Sequence, residues 1–115
     1  MRCERLDVWK RACRLSVNIY KTFASCSDFG FKDQITRSSL SIASNIAEGM
    51  EKESDKDKGR FINIAQGSTA ELITQTYIAI EIGYIEKNIG LQWIKETNEI
   101  LKMLNALKKS YVSNI

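Results

Sequence analysis

The sequence predicts an all-α fold: one domain over residues 1–115, built as an up-and-down antiparallel four-helix bundle. Three observations carry this. Apolar residues recur at helical spacing in four separate segments. No stretch alternates with period two over the length of a strand. The 115 residues contain no proline, and since proline breaks helix interiors and marks many loops, its absence fits long helices joined by short turns. A composition of 43% apolar and 27% charged residues is that of a folded globule and excludes wholesale disorder.

Helix one is expected over residues 6–24. On a 100° wheel Trp9, Cys13, Ser16, Val17, Tyr20 and Phe23 gather on one broad face, with Lys10, Arg11, Arg14 and Lys21 on the opposite one. So clean a basic stripe is a candidate phosphate-contact surface and, equally, an ordinary solvated helix face. Residues 25–30 read as a turn, with Ser27 or Asp28 to cap and Gly30 to break. Helix two is expected over 31–49. Ile35, Leu40, Ile42, Ala43, Ile46, Ala47 and Met50 fill one half of its wheel. Asp33, Gln34, Arg37, Ser38, Ser41, Ser44, Asn45 and Glu48 fill the other, with Asp33 and Arg37 four apart in the orientation that favours an ion pair.

Residues 51–60 hold four acids and four bases and read as a solvated loop running into helix three, with Ser54 or Asp55 as N-cap. Helix three is expected over 54–87. Phe61, Ile64, Ala65, Leu72, Ala79 and Ile82 lie on one side, and Ile62, Ile73, Tyr77, Ile80 and Tyr84 extend the apolar surface round to another. A helix apolar over so much of its circumference needs burial on two sides: the bundle core and a partner subunit. Gly67 and Gly83 fall inside this helix, where glycine costs about 1 kcal/mol relative to alanine. With Ser68, Thr69 and Ala70, Gly67 suggests a point of close helix packing. Residues 88–90 read as a turn, and helix four follows over 91–111. Its Trp93, Ile100, Met103, Leu104, Leu107 and Tyr111 face inward; Lys95, Glu99, Lys102 and Lys109 face out.

The net charge is +3 but unevenly spread. Residues 1–25 carry six basic and two acidic groups, residues 91–115 four and two, so the middle is net acidic. First and last helices are neighbours in such a bundle, which puts both basic ends on one side and adds Lys108 and Lys109 to the candidate nucleic-acid-binding set. The four tyrosines fall mostly on apolar helix faces, where core packing outweighs base stacking. Cys3, Cys13 and Cys26 show no CxxC spacing and there is no histidine, which argues against a zinc site and a histidine-based triad. No signal peptide and no membrane-length apolar run are evident, so the expected setting is the reducing cytoplasm, without membrane, metal or cofactor. An enzyme reading would rest on Asp33, Arg37, Ser41, Asn45 and Glu48, with Glu71 approaching from helix three. The same residues serve as a hydrogen-bonding network between helices or subunits, and the chain reads as non-catalytic.

Several motifs resemble one bacterial family. They are Asp33-Gln34-Ile35-x-Arg37-Ser38-Ser39, Ser41-Ile42-Ala43-x-Asn45-Ile46-Ala47-Glu48-Gly49, Arg60-Phe61 and Ala65-x-Gly67-Ser68-x-x-Glu71-Leu72, with Leu6-Asp7-Val8-Trp9 at the start. The chain resembles the four-helix-bundle proteins encoded by intervening sequences within 23S ribosomal RNA genes, to which the accessory variability determinant of diversity-generating retroelements is related. The resemblance implies a homo-oligomer, a pentameric barrel with a central channel, and a basic surface that binds RNA or DNA. For the retroelement branch it implies contact with a reverse transcriptase. It implies no catalysis. The alternative is a protein-binding scaffold with no nucleic-acid role.

Overall fold

Four helices account for nearly all of residues 6–112, the part of the chain that the computed structural model describes: α1 Asp7–Thr22, α2 Phe29–Met50, α3 Asp55–Glu81 and α4 Lys87–Val112. They run antiparallel in sequence order, each packed on its neighbours, with the α2–α3 and α3–α4 pairs the most extensive and α1–α4 closing the square. The bundle measures 45 × 22 × 21 Å. Among the described residues no helix is long and apolar enough to cross a membrane.

Local chemistry sets the helix ends. Asp28 caps α2 by accepting from the Phe31 amide at 3.1 Å, and Ser54 caps α3 by accepting from the Asp57 amide at 3.1 Å. Asp55 and Asp57 add negative charge at the positive end of the α3 dipole. Gly30 does not break the chain; it lies in the first turn of α2, where the Asp28 side chain accepts from the Phe31 amide and its carbonyl from the Lys32 amide.

The α3–α4 junction falls earlier than the sequence suggests. Helix α3 stops at Glu81, because Gly83 adopts a left-handed φ of 80°. The Tyr84 amide donates to the Ala79 carbonyl at 2.9 Å and the Gly83 amide to Ile80 at 3.1 Å, the paired bonds of a Schellman termination. Helix α4 then begins at Lys87, so residues 88–90 are helical rather than a turn. Gly90 packs closely on α3 there: a Cβ on it would run into the Ile80 side chain.

The core is one cluster drawn from all four helices, with Ile19, Ile35, Ile42, Ile46, Ile62, Leu72, Ile100 and Leu104 wholly buried. Each contributes on the order of 1.5–3 kcal/mol by leaving water. In α1 the inward residues are Val8, Ala12, Leu15 and Ile19, with Phe23 just beyond its end. Val17 and Tyr20, expected inside, are exposed, and so is Leu40 of α2. Helix α1 is apolar on two adjoining stripes, and the square of the bundle can bury only one. The inward residues of α4 are those the sequence indicates: Trp93, Ile100 and Leu104 are buried, with Met103, Leu107 and Tyr111 packed against them.

Buried hydroxyls tie the helices at mid-height, where Ser16 and Ser39 meet at 3.1 Å and Ser41 and Ser68 at 2.8 Å. At one end the Tyr84 hydroxyl donates to Asp28 at 2.6 Å, joining the two turns there. Phe23, Phe31, Tyr84 and Trp93 stack in a chain beneath them.

Candidate nucleic-acid interface

The basic residues singled out in the sequence separate into three environments. Lys10, Arg14 and Lys21 lie within about 40° of each other on the outer face of α1, are exposed, and form no ion pair with a described residue. Arg11 is committed elsewhere. Its Nε and Nη2 donate to the two carboxylate oxygens of Glu96 at 3.0 and 2.5 Å, and Nη1 reaches the Met103 sulfur at 3.6 Å. This two-pronged bond raises the Arg11 pKa and holds the Glu96 carboxyl below its usual range. Arg11 therefore pins α1 to α4. Lys108 is likewise engaged, on the α3–α4 seam, donating to Asn63 at 3.0 Å and Gln66 at 3.5 Å.

Lys109 belongs instead to a line whose other members, Lys95 and Lys102, sequence reasoning places outward but leaves out of the binding set. The three are spaced by seven, so they share one outer line of α4 about 10 Å apart, and all are exposed. Because α4 adjoins α1 through the Arg11–Glu96 pair, the two outer faces form one surface bearing Lys10, Arg14, Lys95, Lys102 and Lys109. The seven-residue period is the signal for it. Acids temper the surface: Glu99 lies 3.8 Å from Lys102, and Arg14 is close enough to Glu96 to help lower its pKa.

The polar face of α2 is a network rather than a reaction centre. Arg37 donates to both carboxylate oxygens of Asp33 at 3.2 and 3.3 Å, as the spacing predicts. Asn45 donates to the Ser41 carbonyl at 2.8 Å and to its hydroxyl at 2.9 Å, and Ser41 meets Ser68 of α3. Arg37, Ser41 and Glu71 line a shallow groove with Gln34, Ser38 and Ser68. Glu48 points away from it towards Lys52, at 3.7 Å. Gly49 lets α2 and α3 close up, since a Cβ there would stand 3.0 Å from the Phe61 Cβ and 3.4 Å from the Lys58 carbonyl. The Phe61 ring is in turn flanked by Lys52 and Arg60, 5.1 and 5.4 Å from its centroid. Gly49, and Lys52 over the Phe61 ring, thus seat the α2–α3 corner, while Asn45 and Arg60 bond within their own helices and Glu48 pairs locally with Lys52.

Gly67 is not the close-packing point expected within the protomer. It is exposed, with no atom within 4 Å of an added Cβ; only Ser68 and Thr69 beside it are buried.

A family model described as 23S rRNA-intervening sequence protein matches residues 4–106. The chain belongs to that family. It is also similar to a crystal structure of a protein with unknown function from the S23 ribosomal protein family of Bacteroides thetaiotaomicron VPI-5482. The two share 27% sequence identity with a TM-score of 0.83, over 89% of this chain and 98% of that one. No curated protein matches. The relative extends the likeness from local motifs to the whole four-helix arrangement.

Proposed function

We propose that this family member is a non-catalytic, homo-oligomeric protein that binds nucleic acid, RNA foremost, through the outer face of α1 and α4. The observation that carries the reading is the pairing state of that face. Lys10, Arg14, Lys95 and Lys109 are exposed without an ion-pair partner among the described residues, while Arg11 and Lys108 are used inside the fold. Exposed cations on a helical face attract phosphate through sequence-independent contacts that release counterions. A few such contacts per protomer bind weakly, and a ring of copies multiplies them.

The polar α2 face supports the non-catalytic part. Asp33 and Glu48 are paired with Arg37 and Lys52, and Glu71 of α3 shares an open groove with Ser38, Ser41 and Ser68, whose hydroxyls are held by helix carbonyls or by one another.

The test is a Lys10→Glu, Lys102→Glu, Lys109→Glu variant, which touches neither the Arg11–Glu96 pair nor the core. It should bind structured RNA more weakly regardless of sequence, with the salt slope reduced by about one for each phosphate that is no longer neutralised. Affinity unchanged in that variant would remove the face from consideration. Absence of RNA and DNA binding, with a nuclease-insensitive protein partner recovered instead, would favour the scaffold reading.

A further inference from the structure

Along the α3–α4 seam the two helices leave a hollow of about 350 Å³, lined by Gln66, Asn105, Lys108 and Lys109. Each wall comes from an i, i+3 pair, Asn63 with Gln66 on α3 and Asn105 with Lys108 on α4. The helices are antiparallel, so Asn63 meets Lys108 and Gln66 meets Asn105. Lys108 Nζ donates to Asn63 Oδ1 at 3.0 Å and to Gln66 Oε1 at 3.5 Å, and Gln66 Nε2 donates to Asn105 Oδ1 at 2.6 Å. Lys108 forms no ion pair with a described residue.

Lys108 fixes the direction of this chain of bonds. An ammonium only donates, so each amide turns its oxygen to it. The Gln66 nitrogen is then left towards Asn105, which offers its own oxygen in return. All three amide carbonyls are thereby engaged, and the valences left over are donors: the Asn105 amide hydrogens and the third N–H of Lys108, with the exposed Lys109 beside them. The walls are mainly hydrocarbon, the lysine stems included. A hydrated phosphate gains little from such walls, whereas a flat ring covers them.

We infer that this seam seats an unpaired guanine of the bound strand, its O6 and N7 accepting from Lys108 and Asn105, with a neighbouring phosphate on Lys109. The inference rests on the proposed nucleic-acid role and gives it a base preference. Donors side by side match the O6 and N7 acceptors of guanine, the pair that lysine reads most readily. Adenine sets a donating amine beside its N7, and uracil offers O4 alone. A recess also differs from an element that enters a groove. Base edges inside a duplex are reached by a protruding helix or ribbon. A hollow between two helices receives a base splayed out of its stack, as in RNA loops and single strands.

The experiment compares short oligouridylates carrying one central guanosine, inosine, 7-deazaguanosine, adenosine or cytidine, bound to the wild-type protein at low salt and read by fluorescence anisotropy. The guanosine strand should bind about tenfold more tightly than the all-uridine strand. Inosine keeps O6 and N7 and should match guanosine; 7-deazaguanosine lacks N7 and should fall back towards uridine. Asn105→Leu, at an exposed position of α4, should erase the preference with helicity unchanged by circular dichroism. If that variant loses its fold, Lys108→Met takes its place. Equal affinity for guanosine and 7-deazaguanosine overturns the guanine seat. So does a preference for cytidine, whose N3 and O2 are also paired acceptors, or a preference that survives Asn105→Leu. Structured RNA bound without any of the single strands overturns the seat as well, and each of these results leaves the sequence-independent lysine contacts standing. No binding of structured RNA or of any strand overturns both.

Discussion

Two helical glycines, Gly49 and Gly67, should respond to alanine with opposite signs. Gly67 lies in the middle of α3, and an added Cβ meets no atom within 4 Å. Alanine there gains helix propensity and restricts the unfolded chain, for an expected stabilisation of about 0.5–1 kcal/mol. Gly49 is the penultimate residue of α2, so it has little propensity to gain. Its Cβ would stand 3.0 Å from the Phe61 Cβ and 3.4 Å from the Lys58 carbonyl, positions fixed by the α3 backbone. The helices must part by a few tenths of an ångström, and overpacking of this kind costs about 1–3 kcal/mol. Urea unfolding followed by circular dichroism measures both, at one fixed protein concentration. Midpoints should move apart with unchanged slope, corresponding to melting shifts of roughly 3–5 °C per kcal/mol. Gly49→Ala as stable as the parent, or Gly67→Ala less stable, would refute the contact geometry assigned to α2 and α3.

Three further outcomes follow from the polar contacts and the core. Glu96→Gln should destabilise by about 0.5–1 kcal/mol, an ion pair one-third exposed and discounted for solvent, measured by denaturant midpoint at neutral pH. Because Arg11 depresses the Glu96 pKa below its ordinary 4.5, the wild-type advantage is complete above that value and disappears as pH falls through the lowered one. Tyr84→Phe should reduce the acid and alkaline sensitivity of thermal melting. The Tyr84 bond lowers the Asp28 pKa below 3.8, a contribution lost on acidification, and raises the Tyr84 pKa above 10.0, a contribution lost as the phenol ionises. Leu72→Ala, wholly buried between helices, should cost about 2–5 kcal/mol, and a loss under about 1 kcal/mol would show that α3 does not present this face to the core.

Much of the architecture is legible in the sequence because it is written in local terms. The Ser54 cap, the Asp33–Arg37 pair and the inward face of α4 each depend on residues within one or two turns, and each is where spacing puts it. What spacing cannot give is the partner across the bundle. Val8, Ala12, Leu15 and Ile19 run beside Trp9, Cys13 and Val17, one residue out of step, and both lines are apolar. Only the neighbouring helices decide that the first goes inside. The same holds for Arg11, which looks like one more cation of the stripe until Glu96, 85 residues away, is brought to it. The α3–α4 junction is obscure for a different reason: apolar residues continue through Ile82, Tyr84 and Ile85, so helical periodicity runs on past the left-handed Gly83 that ends the helix.

For the candidate site, the sequence marks the basic character of α1 and sets α4 beside it, but it gives no reason to prefer Lys95 and Lys102 over Lys108, which turns onto the α3–α4 seam only in the folded bundle. The second apolar stripe of α1 stays exposed at Val17 and Tyr20, beside Leu40 of α2, and spacing alone cannot tell it from the buried one.

The proposed role requires an oligomer of this chain that holds nucleic acid by its outer lysines. Binding of structured RNA by the purified protein across a salt series, with its mass in solution recorded alongside, tests it most directly. An oligomer that binds at low salt, with affinity falling steeply and log-linearly as salt rises, is the expected result. A monomer, or an oligomer with no affinity for RNA even at low salt, would contradict it.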